Sequence, residues 1–369
     1  MRLALFFLFV FSFTAQTQRP VRMTDIQIIG THNSYHVGLG ENELAALRKV
    51  NPAAADSLAY RHAPLEPQLD WGVRQFELDV FGDSKGGLFS NPAMPRRLAA
   101  QGLPTDPPFD PAGKLQKPGF KVLHVADIDF RSSCLTLIDC LTTFRDWSRR
   151  HPGHLPIYVL LENKDGKPRG EDMVAPEPIT KATLEALDQE ILSVFRREEL
   201  ITPDDVRQGM PTLEAAVLAR GWPALAKARG KFVFLLDQER VTKLYTDGHP
   251  NLEGRVMFTN GTPGTPDAAF VKANNPTGPA GQRIAELVQK GYLIRTMTDG
   301  GPANVRAGNT ARRDAAFANG AHLLSTDYPY GWKSKDSGYS VQFSSGIARC
   351  NPVVPQNPCS AADLVEAKN

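Results

Sequence analysis

A single closed (β/α)8 barrel of the TIM type, allowing for distortion, is the fold this sequence predicts. The chain has 369 residues, a length that one α/β barrel fills. Eight short apolar runs suited to strands follow one another along it. Helix-like amphipathic stretches separate those runs, and this alternation places parallel strands in one layer, helices outside it, and the site where strands end and loops begin.

The first run, residues 25–30, is DIQIIG, and the second, 73–81, alternates Phe76, Leu78 and Val80 with Glu77 and Asp79. Runs at 121–126, 156–162, 231–236, 255–259, 292–298 and 321–326 complete the set. Between them, residues 43–60, 135–150, 179–197, 213–227 and 283–290 repeat apolar side chains at helical spacing. Residues 85–119 contain seven prolines and five glycines and read as a long irregular loop after the second strand. A doubly wound open sheet is the alternative, but neither G-x-G-x-x-G nor a Walker A sequence supplies its usual phosphate turn.

Composition removes several classes. Forty-two Lys plus Arg against 40 Asp plus Glu leave a formal charge of +2, so no global field exists to hold nucleic acid, and an anionic partner must be gripped locally. The 41% hydrophobic and 22% charged content is that of a globular protein. The strongly apolar run LALFFLFVFSF follows Arg2 and precedes TAQTQ, the order of a secretory signal peptide. It is too short for a bilayer span, which needs about 20 apolar residues. Residues 1–18 are therefore expected to be a signal, and 19–369 one barrel with a tail at 337–369. The mature chain is expected to be secreted, extracellular or periplasmic, monomeric and without a transmembrane segment. The four cysteines form close pairs, Cys134 with Cys140 and Cys350 with Cys359, which suits two disulfide loops in an oxidising compartment. A zinc site would want C-x-x-C pairs, and neither pair has that form.

The residues that carry chemistry fall at strand ends. The first strand runs into His32, Asn33 and His36; the i, i+4 histidines lack the intervening Glu of a zinc protease. In the second strand Glu77 and Asp79 share one face, and turning that face inward leaves two poorly solvated carboxylates that need a proton or a cation between them. His124 ends the third run; Glu162 and Lys164 end the fourth. Glu77, Asp79, Glu162 and the Asn33 amide oxygen make an all-oxygen set that suits Ca²⁺ rather than Zn²⁺, with His32 and His124 as flanking proton donors.

These segments, GTHNSYH, HAPLEPQLDWGVRQFELDV, VLHVADIDF and LPIYVLLENK, resemble the secreted calcium-dependent phosphatidylinositol-specific phospholipases C, from about Ile26 to Tyr330. The resemblance implies His32 and His124 as catalytic histidines and Asn33, Glu77, Asp79 and Glu162 as calcium ligands. It also implies an enzyme of lipid metabolism that touches phosphatidylinositol in membranes peripherally and cleaves it to diacylglycerol and a cyclic inositol phosphate by attack of the inositol 2-hydroxyl. Eukaryotic relatives carry lysines on the strand resembling GKFVFLLDQ, where this chain has Asp237, which argues for an unphosphorylated head group. Lys164, Asp237 and Arg295 are candidate substrate contacts. Ser325 to Pro329 also resembles the final strand of glycerophosphodiester phosphodiesterases, the alternative activity, although those enzymes end their first strand in H-R-G. A catalytically silent barrel would have lost one of the six site positions, and a serine lipase would show G-x-S-x-G.

Overall fold

Residues 19–366 are described by a computed structural model. The expected signal peptide lies outside the described residues. Among the described residues ten strands form in chain order: β1 (Ile26–Thr31), β2 (Gln75–Phe81), β3 (Lys121–Val122), β4 (Ile157–Asn163), β5 (Phe232–Leu236), β6 (Met257–Phe258), β7 (Phe270–Lys272), β8 (Leu293–Met297), β9 (Leu323–Thr326) and β10 (Ala348–Cys350). Eight of them are neighbours in the order β6, β5, β4, β2, β1, β9, β8, β7, every pairing parallel. The ring closes just beyond β6, where Asn260 bridges Phe270 in parallel and Gly261 N donates to Phe270 O at 3.0 Å. The barrel expectation therefore holds.

Seven of the eight expected strands lie in the barrel wall; residues 121–126 do not. There the chain, returning from the long excursion, pairs antiparallel with the end of β2 through Val80 with Val122 and Phe81 with Lys121. The missing wall strand is β7. Its three residues sit between Gly- and Pro-containing turns, so too little apolar sequence announces it. β10, also unforeseen, pairs antiparallel with the N-terminal half of β1.

The helices pack outside, as their patterns require. In Leu137–Arg150, Leu137, Cys140, Leu141, Phe144, Trp147 and Ser148 are buried, an i, i+3, i+4, i+7 face. Thr136 caps its start by accepting from Asp139 N at 3.2 Å. Phe144 packs against Phe76 of β2 with the rings tilted at 50° and their centroids 4.8 Å apart, so the apolar residues of β2 face the helices and Glu77 and Asp79 face the interior. Burying each such side chain contributes about 1.5–3 kcal/mol.

The excursion carries a helix, Ala93–Ala100, and a 3-10 turn, Lys114–Gln116. Phe81, Phe89, Leu115, Leu123 and Phe130 form a small core beneath it. Both expected disulfides are present, Cys134–Cys140 and Cys350–Cys359. At the N-terminal end of the barrel strands, Glu366 accepts from Arg74 Nε at 2.8 Å and Leu155 N at 2.6 Å, tying the tail across the entrances of β2 and β4. Among the described residues no helix is long and apolar enough to cross a membrane.

Candidate active site

The register of β2 and β4 builds the centre. Asp79 pairs with Glu162 and Glu77 with Leu160, so two carboxylates stand side by side at one level and a third lies one step below. Each of Glu77, Asp79 and Glu162 offers an oxygen within 4.8 Å of the others. The turn after β1 brings the fourth donor: Asn33 takes φ 46°, a left-handed conformation that Asn tolerates better than most residues. Two bonds hold that turn against β2, Ser34 N to Glu77 O at 2.9 Å and Glu77 N to Ser34 Oγ at 2.9 Å. Asn33 Nδ2 donates to Tyr60 Oη at 2.7 Å, whereas its Oδ1 is buried with no hydrogen-bond partner.

Protein cations balance part of this charge. Arg295, 1% exposed, directs Nη2 at Glu77 and at Ser325 Oγ (3.0 Å) and Nη1 at Asn274. Lys164 Nζ lies 2.8 Å from Glu162 Oε1 and 3.1 Å from Asp79 Oδ2. Asp79 is nevertheless pushed well above the usual carboxylate range, because burial and the neighbouring Glu162 and Glu77 outweigh Lys164. For Glu162 burial acts in the same sense, but Lys164 prevails and holds it below its ordinary value. Asp237, at the end of β5, pairs with Lys272 on β7; burial and Glu77 still push it up to about 6.

His32 and His124 are each paired with a carboxylate. His32 Nδ1 lies 3.0 Å from Asp327 Oδ1 and its Nε2 3.9 Å from Glu77 Oε1. Burial disfavours charge on His32, but Asp327 and Glu77 prevail and push its pKa up to about 9. Asp327 is in turn set by its own N–H, which donates to Asp299 Oδ2 at 2.6 Å. His124 Nδ1 lies 2.7 Å from Asp129 Oδ2, and the buried His36 approaches the same oxygen at 2.7 Å through Nε2. Burial opposes ionisation of Asp129, yet bonds from His124 and His36 keep its carboxyl below the ordinary value. Asp127 fixes the His124 loop by accepting from Ala93 N at 2.7 Å and Val174 N at 2.6 Å. His32, Tyr60, His124 and Asp327 line one cleft of ≈ 370 Å³.

Of the nine candidate site residues, Glu77, Asp79, Glu162 and Arg295 stand within β2, β4 and β8, and His32, Asn33, His124, Lys164 and Asp237 in the segments that follow β1, β3, β4 and β5. His32 and His36 do not converge on one ligand; they face Asp327 and Asp129 respectively. Arg295 and Lys164 are engaged by the acidic cluster. Sequence reasoning passed over Asp327, Asp129, Tyr60, Lys272 and Asn274. Asp327 carried a usable signal, since it directly follows β9 as His32 follows β1. Asp129 carried none, because its role depends on a loop returning beside His36.

The sequence matches, over residues 21–352, the family described as phosphoinositide phospholipase C, Ca2+-dependent. The chain belongs to this family. It is accordingly a phosphodiesterase of the phospholipase C type, and calcium is the family's metal. No match was found among curated proteins. Among solved structures, the calcium-dependent phosphoinositol-specific phospholipase C of a Pseudomonas species superposes with a TM-score of 0.54 at 15% identity, covering 90% of this chain and 96% of that one. The calcium-dependent phosphatidylinositol-specific phospholipase C of Streptomyces antibioticus gives 0.50 at 18% identity, covering 83% and 95%. These likenesses show the shared barrel. The residues here fit a calcium ion on their own account: the donors are all oxygen, Asn33 Oδ1 and Asp79 Oδ1 are buried without hydrogen bonds, and Asp79 is buried under like charge.

Proposed function

We propose that this member of the family cleaves phosphatidylinositol at the membrane surface, releasing diacylglycerol and a cyclic inositol phosphate. The observation that carries the reading is the pair of imidazoles, each backed by its own carboxylate, lining one cleft beside an acidic oxygen cluster. Asn33, Glu77, Asp79 and Glu162 would hold calcium, which supplies a lowered pKa for the inositol 2-hydroxyl and positive charge for the phosphoryl oxygens. That hydroxyl attacks the adjacent phosphorus within one molecule, a geometry worth an effective concentration of roughly 10⁵ to 10⁸ M.

The protein moves the protons. Glu162, with its side chain 26% exposed against 3% for Glu77, is the more accessible carboxylate to take the hydroxyl proton. His32, held as an imidazolium by Asp327, stabilises the charge gathering on the pentavalent phosphorus. His124 donates a proton to the diacylglycerol oxygen as the phosphorus–oxygen bond breaks, and Asp129 keeps its ring oriented. At the inositol side, the cations Lys272 and Arg295 are each already paired with a carboxylate, so neither is spare for a further ring phosphate. This supports phosphatidylinositol itself as substrate. Export through residues 1–18 belongs to the same reading and is supported by the two disulfides.

The test is a calcium titration of activity on phosphatidylinositol vesicles with the products identified. Saturable, chelator-reversible release of diacylglycerol and cyclic inositol phosphate is expected. Turnover that survives chelation would refute the metal assignment, and glycerol 3-phosphate from deacylated lipid as the main product would identify a glycerophosphodiesterase instead.

A further inference from the structure

We propose that Lys164 is the replaceable counter-ion of the calcium site: its ammonium occupies Asp79 and Glu162 in the metal-free enzyme and has to leave them for a divalent cation to be held there. The proposal rests on the calcium reading above. Lys164 follows Glu162 by two residues at the end of β4, which puts both side chains on one face of the chain. From there Nζ reaches 2.8 Å from Glu162 Oε1 and 3.1 Å from Asp79 Oδ2, on two of the carboxylates that would hold the metal.

The second cation of the cluster behaves differently. Arg295 is 1% exposed and is gripped by Glu77, Ser325 and Asn274 at once, so it has nowhere to go. The Lys164 backbone is fixed, N to Val80 O at 2.8 Å, but its side chain is 24% exposed and its flexible stem ends in a single compact charge. The head group can therefore swing toward solvent while the main chain stays in register. With all three carboxylates ionised, as metal binding requires, the cluster presents one net negative charge to an arriving ion while Lys164 is in place and two once it is displaced. Lys164 thereby lowers calcium affinity in the resting enzyme. Once released, its ammonium is free beside the cleft for an anionic head group, so metal and head group bind with positive coupling.

The experiment is isothermal titration calorimetry of the full chain with calcium, alone and with inositol 1-phosphate. It compares wild type with Lys164→Met, which keeps the stem and removes the charge, and Lys164→Arg, which keeps the charge. Lys164→Gln replaces the Met variant if thermal melting shows that it fails to fold. Lys164→Met is expected to bind calcium about tenfold or more tightly, within the range of ordinary site–site coupling. Lys164→Arg should stay near wild type, and the gain in inositol 1-phosphate affinity on adding calcium should shrink in Lys164→Met. Unchanged or weaker calcium binding by Lys164→Met, or undiminished coupling, overturns the proposal alone. Calcium binding that Asp79→Asn leaves intact in the wild-type background overturns the metal reading beneath it.

Discussion

Asp327→Asn isolates the interaction that charges His32. The substitution keeps an oxygen facing His32 Nδ1, 3.0 Å away, and removes the negative charge. In the intact protein Asp327 and Glu77 overcome burial and bring His32 from 6.5 up to about 9. Losing most of that rise weakens the imidazolium by about 3 kcal/mol, at 1.36 kcal/mol for each tenfold change in proton affinity. The sign follows from the raised folded pKa: the stabilisation is fully present below pH 6.5 and disappears as pH climbs through 9. Denaturant unfolding of the calcium-free protein should therefore show Asp327→Asn less stable by about 3 kcal/mol at pH 6, with a smaller deficit at pH 10. Proton NMR of the His32 ring should give a midpoint near 9 in the wild type and one at or below 6.5 in the variant. A wild-type midpoint close to the ordinary value, or one that the substitution does not move, refutes the argument.

The remaining expectations concern the second histidine, the head group and the core. His124→Ala should lower kcat on phosphatidylinositol by about 10² to 10⁴ while leaving calcium binding by calorimetry unchanged, since His124 contacts Asp129 and none of the calcium ligands. Asp237→Ser releases Lys272 from its ion pair; the ratio of kcat/KM for phosphatidylinositol 4-phosphate over phosphatidylinositol should rise about tenfold, the worth of one charge-assisted hydrogen bond, and an unchanged ratio would remove the pair from specificity. His322 is buried with its Nδ1 accepting from Ile294 N at 3.0 Å, and burial depresses its pKa to about 4. Because a neutral imidazole is needed in the fold, its contribution is intact above pH 6.5 and erodes as pH falls toward 4. Between pH 7 and pH 4.5 the wild type should lose about 2.5 kcal/mol that His322→Gln does not lose, measured by urea unfolding at both values.

Much of the site was legible because β2 and β4 write their chemistry locally. Alternation in Phe76-Glu77-Leu78-Asp79-Val80 puts the carboxylates on one face without any knowledge of what packs opposite, and a barrel decides that this face is the interior. His32 and Asn33 directly follow β1, so their place on the rim comes from chain order alone. The run at 121–126 misled as a wall strand because an apolar stretch does not encode its partner; antiparallel pairing to the end of β2 is a tertiary event. β7 was silent for the opposite reason, three residues between turns, recruited by the need to close a ring.

Strand polarity, the common face of Glu77 and Asp79, the place of His32 directly after β1 and the two disulfide pairs were thus determined by the sequence, since each depends on spacing within one segment. Only the tertiary structure decided which groups neutralise which. Asp129 meets both His36 and His124, Arg295 reaches Glu77 across 218 positions of chain, and Asp327 comes back to His32 over 295. Such pairings rest on charges a few ångströms apart in a poorly solvated mouth, and distance in space has no counterpart in distance along the chain.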